Sequence, residues 1–104
     1  MERDAAIKLI QQLLSLMKER GGSDLFLTAG FPPAIKQDGA ITPVMDKALT
    51  PENSAMLMRA LMSDKQTKDF EASNECNFAI SPPNIGRFRV NAFNQNRGAG
   101  AVFR

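Results

Sequence analysis

The chain has 104 residues, 43% of them hydrophobic and 23% charged, with a formal net charge of +2. That is enough chain for one domain with a modest core, and no apolar run approaches the roughly 20 residues of a membrane-spanning helix. Histidine is absent and Cys76 is the single cysteine, which excludes an internal disulfide and leaves no plausible donor set for a metal site.

Along residues 3–20, Ile7, Ile10, Leu13, Leu14 and Met17 recur at spacings of three and four, with Lys8, Gln11, Gln12, Lys18 and Glu19 between them. This period predicts an amphipathic helix packed on a core, stopped by Gly21-Gly22. Strands are expected at 23–28, 34–37 and 40–44. Phe31-Pro32-Pro33 turns the chain after the first, and Asp38-Gly39 marks a hairpin between the other two. Pro43 assigns the third strand to a sheet edge. Thr50 caps a helix that opens on Pro51 and runs to about Met62, with Met56, Leu57, Ala60 and Leu61 inward and Met58 on the outer side. Ser63-Asp64 separates it from a second helix, Lys65 to Ala72, anchored by Phe70. Residues 74–81 then alternate, with Cys76, Phe78 and Ile80 on the inner face, so a buried and inert thiol is expected. A long strand follows at 85–93, a loop at 94–98 and a last strand at 99–104. The sum is an α+β domain: an N-terminal helix, two central helices and a largely antiparallel sheet.

Charge is distributed unevenly. Residues 76–104 hold four arginines, Arg87, Arg89, Arg97 and Arg104, and no acid, whereas residues 1–75 hold nine bases and eleven acids. A basic end implies an anionic partner: phosphate, nucleic acid or an acidic protein face. Alternation places Arg87 and Arg89 on one face, opposite Phe88, Val90 and Ala92, and an antiparallel return brings Arg104 near the start of the first strand. The planar guanidinium suits a phosphate because it keeps its charge and bonds two oxygens. Surface arginines are as commonly solvated or paired within their own domain. The glycine-rich Arg97-Gly98-Ala99-Gly100 lacks the spacing, lysine and hydroxyl residue of a Walker loop, and no such stretch occurs elsewhere. Asp24 reads as a helix-exit or turn residue and Asp38 as a turn residue, rather than as an acid/base pair.

Three segments carry a resemblance: Gly22–Gly30 with Pro32-Pro33, Met62–Gln66 with Asp69-Phe70-Glu71, and above all Gly86–Arg104. Together they resemble the opening of the type IV pilus retraction ATPases, the PilT/PilU family of twitching motility proteins. Residues 23–27 and 75–80 look more like PilU, and residues 94–104 more like PilT. The resemblance implies a PAS-like domain with a curved sheet over residues 1–104, serving a hexameric P-loop ATPase whose C-terminal core lies outside this sequence. It implies that Arg89 and Arg104 reach the terminal phosphates of ATP in the full-length protein, with Arg97 as a secondary candidate. ATP and Mg²⁺ would be held by the full-length protein, and this chain alone would not hydrolyse ATP. The implied partners are the chain's own ATPase core, neighbouring subunits, the PilT/PilU paralogue and the pilus machinery of the inner membrane. Met1-Glu2-Arg3-Asp4 lacks the basic start of a signal peptide, and with a lone cysteine the expected location is the cytoplasm, at the inner face of that membrane. Two other readings compete: a PAS-like small-molecule sensor or interaction module, and a nucleic-acid module on the basic hairpin. Inward methionines and phenylalanines count against the sensor. The small net charge and missing recognition motif count against nucleic acid.

Overall fold

The computed structural model describes residues 1–96 and 98–104. Among the described residues the elements run α1 (Arg3–Glu19), β1 (Asp24–Thr28), β2 (Ala34–Gln37), β3 (Ala40–Pro43), α2 (Pro51–Leu61), α3 (Asp64–Ser73), β4 (Glu75–Ile80), β5 (Phe88–Gln95) and β6 (Gly98–Phe103). The expected α+β order holds. All six strands form one antiparallel sheet in the order β3-β2-β1-β6-β5-β4, so the strand latest in sequence lies at the centre. No described helix is long and apolar enough to cross a membrane.

Local chemistry sets the element ends. Thr50 accepts a hydrogen bond from the Asn53 N–H at 3.0 Å, and Pro51 sits at the first helical position of α2. Ser63 and Gln66 close a capping box on α3, each side chain satisfying the other's backbone N–H at 3.2 and 2.9 Å. Between β2 and β3, Asp38 and Gly39 have φ of 52° and 81°. Both central residues of a two-residue hairpin need positive φ for the turn to match the strand twist. The β3 strand is an edge, with all four residues exposed, as Pro43 required.

One face of the sheet is covered by the helices. Leu25, Leu27 and Ile35 from the first half, and Val90, Ala92, Ala101 and Phe103 from the second, meet Ile10, Leu13, Leu14 and Met17 of α1 and Leu57 of α2 in one cluster. Each large side chain buried there stabilises the fold by about 1.5–3 kcal/mol relative to leaving it in water.

The structure corrects four expectations. Met58 is buried, at 1% exposure, because α2 packs on both β6 and α1 and so hides a wider arc than one apolar stripe. The long strand begins at Phe88, not at 85: Asn84 and Gly86 have φ of 64° and 140°, which breaks the extended backbone ahead of it. It also continues to Gln95, paired with Gly98, so most of the expected 94–98 loop is ladder. Cys76 faces inward but is only half-buried, because β4 is the other edge strand. Burial and, to a lesser extent, the Asp69 charge push its thiol pKa up, which favours the unreactive protonated form.

Candidate functional site

Arg89 and Arg104 are brought together by the backbone. The N–H of Arg89 donates to the Arg104 carbonyl at 2.9 Å, and the N–H of Arg104 donates to the Arg89 carbonyl at 2.9 Å. Residues that exchange both bonds stand directly opposite in an antiparallel pair, roughly 5.5 Å apart at Cα, with side chains on the same face. Alternation fixes which face. Val90 and Phe103, their neighbours in sequence, are buried under the helices, so both arginines project from the open side of the sheet.

A charged line crosses that open side. Asp24 pairs with Lys36 of β2, and continuing the β1–β6 register one residue past Leu25–Phe103 sets Asp24 opposite Arg104. The side chains confirm it: Arg104 Nε donates to Asp24 Oδ2 at 3.0 Å. Across the sheet the order is therefore Lys36, Asp24, Arg104, Arg89. The Asp24 carboxyl is held below its ordinary value. The largest influence is hydrogen bonding by the neighbouring Ser23 side chain. Partial burial opposes it, and Arg104 and the Lys36 charge add to it. Arg104 keeps most of its side chain in water, at 65% exposure, while Asp24 is 16% exposed.

Beside the pair lies an open depression of about 640 Å³, lined among others by Asn77, Arg87, Arg89, Asn91, Val102 and Arg104. Three arginines and two asparagines line it beside apolar Phe78, Ala79, Val90 and Val102, so its charge is positive and its polar side chains can donate to an anion. Further along the same face, Gly100 is covered by Phe93. A Cβ there would lie 2.9 Å from the Phe93 ring and 3.0 Å from the Leu27 carbonyl oxygen. Only glycine lets the ring close over β6 at this point.

The sequence-predicted residues sort as follows. Arg89 and Arg104 stand opposite each other on adjacent strands, and the hairpin itself was expected. Arg87 lines the same depression from just outside β5. Arg97 lies outside the described residues. Asp24 lies inside the strand expected at 23–28, as the first residue of β1; what the helix-exit or turn reading did not give it is its place as ion-pair partner of Arg104, which follows because β6 lies beside β1. Nothing within the hairpin could reveal it. The one usable signal is the alternation of 24–28, which places Asp24 opposite buried Leu25 and Leu27. Among the described residues no group of three or more His, Cys, Asp or Glu side chains could hold a metal ion.

A frame of this kind occurs in a pilus motor ATPase. A crystal structure of the pilus retraction motor PilT with bound ADP superposes with a TM-score of 0.76 at 38% identity, over 88% of this chain and 28% of that one. No family model matches the chain. Among curated proteins, the type IV pilus ATPase PilU of Pseudomonas aeruginosa strain PAO1 is 49% identical over 94 residues, covering 90% of this chain and 25% of that protein. The type IV pilus retraction ATPase PilT of the same strain is 48% identical over 95 residues, covering 91% and 28%. The chain belongs to the PilT/PilU family of type IV pilus ATPases. It spans about a quarter of the length of these relatives, and the two nearly equal identities do not separate PilU from PilT.

Proposed function

We propose that the chain is the N-terminal regulatory and mechanical domain of a hexameric type IV pilus retraction motor that powers twitching motility. In this reading Arg89 and Arg104 reach the terminal phosphates of an ATP held by a P-loop core, with Mg²⁺ bound at that core. The observation that supports it best is the direct cross-strand pairing of the two arginines on the uncovered face, with no helix between them and an incoming ligand. Guanidinium groups so placed would neutralise charge on the γ-phosphate and bond its oxygens. Once that phosphate leaves, the arginines lose their attraction and the domain is free to shift against the core, which turns hydrolysis into subunit motion. Arg97 remains a secondary phosphate contact in this scheme. The protein works in the cytoplasm at the inner membrane face, against neighbouring subunits and the pilus machinery.

The test uses the longer protein that carries the ATPase core. Arg89→Ala and Arg104→Ala should each lower ATP turnover at least about tenfold, a small part of what a phosphate-contacting arginine can contribute. Circular dichroism should show the fold kept. Wild-type turnover in both variants would end the proposal.

A further inference from the structure

We infer that Asp24 is a positioning residue for Arg104: it holds the inner edge of the guanidinium so that the outer edge presents to the phosphate. The inference rests on the reading above for the identity of the anion. It rests on its own geometry for the role of Asp24.

The guanidinium has two edges able to grip an oxyanion. One is formed by Nε and a terminal nitrogen, the other by the two terminal nitrogens. Asp24 engages Nε alone, at 3.0 Å, and the terminal nitrogens bond no described residue. The end-on edge is therefore left for a second anion. Asp24 is itself fixed: it opens β1, pairs in register with Lys36 and is mostly covered, whereas Arg104 extends into water. An exposed arginine samples many rotamers, and a single bond from a fixed acceptor removes much of that freedom before the ligand arrives. Asp24 also places a negative charge beside two adjacent guanidinium groups, which would otherwise repel each other across the Arg89–Arg104 pair.

The same contact could be imagined as a latch that keeps Arg104 away from its ligand. Magnitude decides against that. One ion pair with a largely exposed partner is too weak to compete with a multiply charged phosphate that bonds the same arginine on two nitrogens. The contact can orient Arg104, but it cannot restrain it.

The experiment compares Asp24→Ala, Asp24→Asn, Arg104→Ala and the Asp24→Ala/Arg104→Ala double variant in the ATPase-bearing protein, with melting temperatures measured throughout. Asp24→Ala should lower kcat about three- to tenfold while KM for ATP stays within about twofold, since binding is dominated by the core. Asp24→Asn keeps an acceptor for Nε and should recover at least half of that loss. The double variant should be no slower than Arg104→Ala alone, because a positioning residue has nothing left to position. If Asp24→Ala and Arg104→Ala multiply in the double variant, or if Asp24→Ala turns over like wild type while Arg104→Ala is impaired, Asp24 does not act through Arg104. The proposed function then stands without this inference. If Arg104→Ala itself is wild type, both readings fall together. Should Asp24→Ala melt too early to assay, Asp24→Leu, which fills the volume without an acceptor, must show the same kcat loss for the inference to hold.

Discussion

On the helix-covered side of the sheet, Leu25, Leu27, Val90, Ala92, Ala101 and Phe103 are each at most 2% exposed. One residue away along the same strands, Asp24, Arg89, Asn91 and Arg104 point the other way, and none of them is part of the core. The two sides share every backbone hydrogen bond and differ only in the parity of the side chain. The difference teaches where substitutions act. The covered side holds the fold together, and the open side is free to carry charge because no described helix packs on it.

The sharpest way to break the comparison is to substitute neighbours. Phe103→Ala should destabilise the chain by about 3–5 kcal/mol in urea denaturation, the range for a large aromatic lost from a core. Gly100→Val probes the place where the open side is tightly built. Its branched side chain would meet the Phe93 ring and the Leu27 carbonyl, and a loss of about 1–3 kcal/mol is expected by the same measurement. Arg104→Ala should cost less than about 1 kcal/mol, since it removes one largely exposed ion pair. A stability cost for Arg104→Ala as large as that for Phe103→Ala would mean the open side is not free.

Asp24, held first by the Ser23 hydrogen bond and then by Arg104, gives the open side a pH signature. Asp24 has a folded-state pKa below its ordinary value, so it contributes stability that is present above the ordinary carboxylate range and is lost as pH falls through the lowered folded value. The stability difference between the parent chain and Asp24→Asn should therefore be constant from pH 7 to about 5 and close below about pH 4, as followed by urea midpoints. A difference that widened on acidification would have the wrong sign for a carboxylate stabilised by Ser23 and Arg104.

Much of this division was legible in the sequence. Period-two alternation in 88–93 sorted Val90 from Arg89, and the turn chemistry of Asp38-Gly39, Thr50-Pro51 and Ser63 marked element ends, because each depends on residues close together in the chain. What alternation could not supply was adjacency. The position of β6 between β1 and β5 is set by packing of the whole sheet, and with it came the partnership of Asp24 and Arg104, eighty residues apart. Met58 was misplaced for a related reason, since a helix covered from two sides hides residues that a single apolar stripe leaves out. The PAS-like part of the fold expectation rests on the family resemblance alone.

The central place of β6 bears on how the chain is made. The ribosome delivers β1 early and β6 late, so the edge of β1 that β6 will occupy waits with its backbone N–H and C=O groups unpaired. At about 5–20 residues per second that interval is on the order of ten seconds, long enough for a nascent strand edge to find the wrong partner. Charged residues on an unpaired strand disfavour edge-to-edge association, and Asp24 stands at the start of this one.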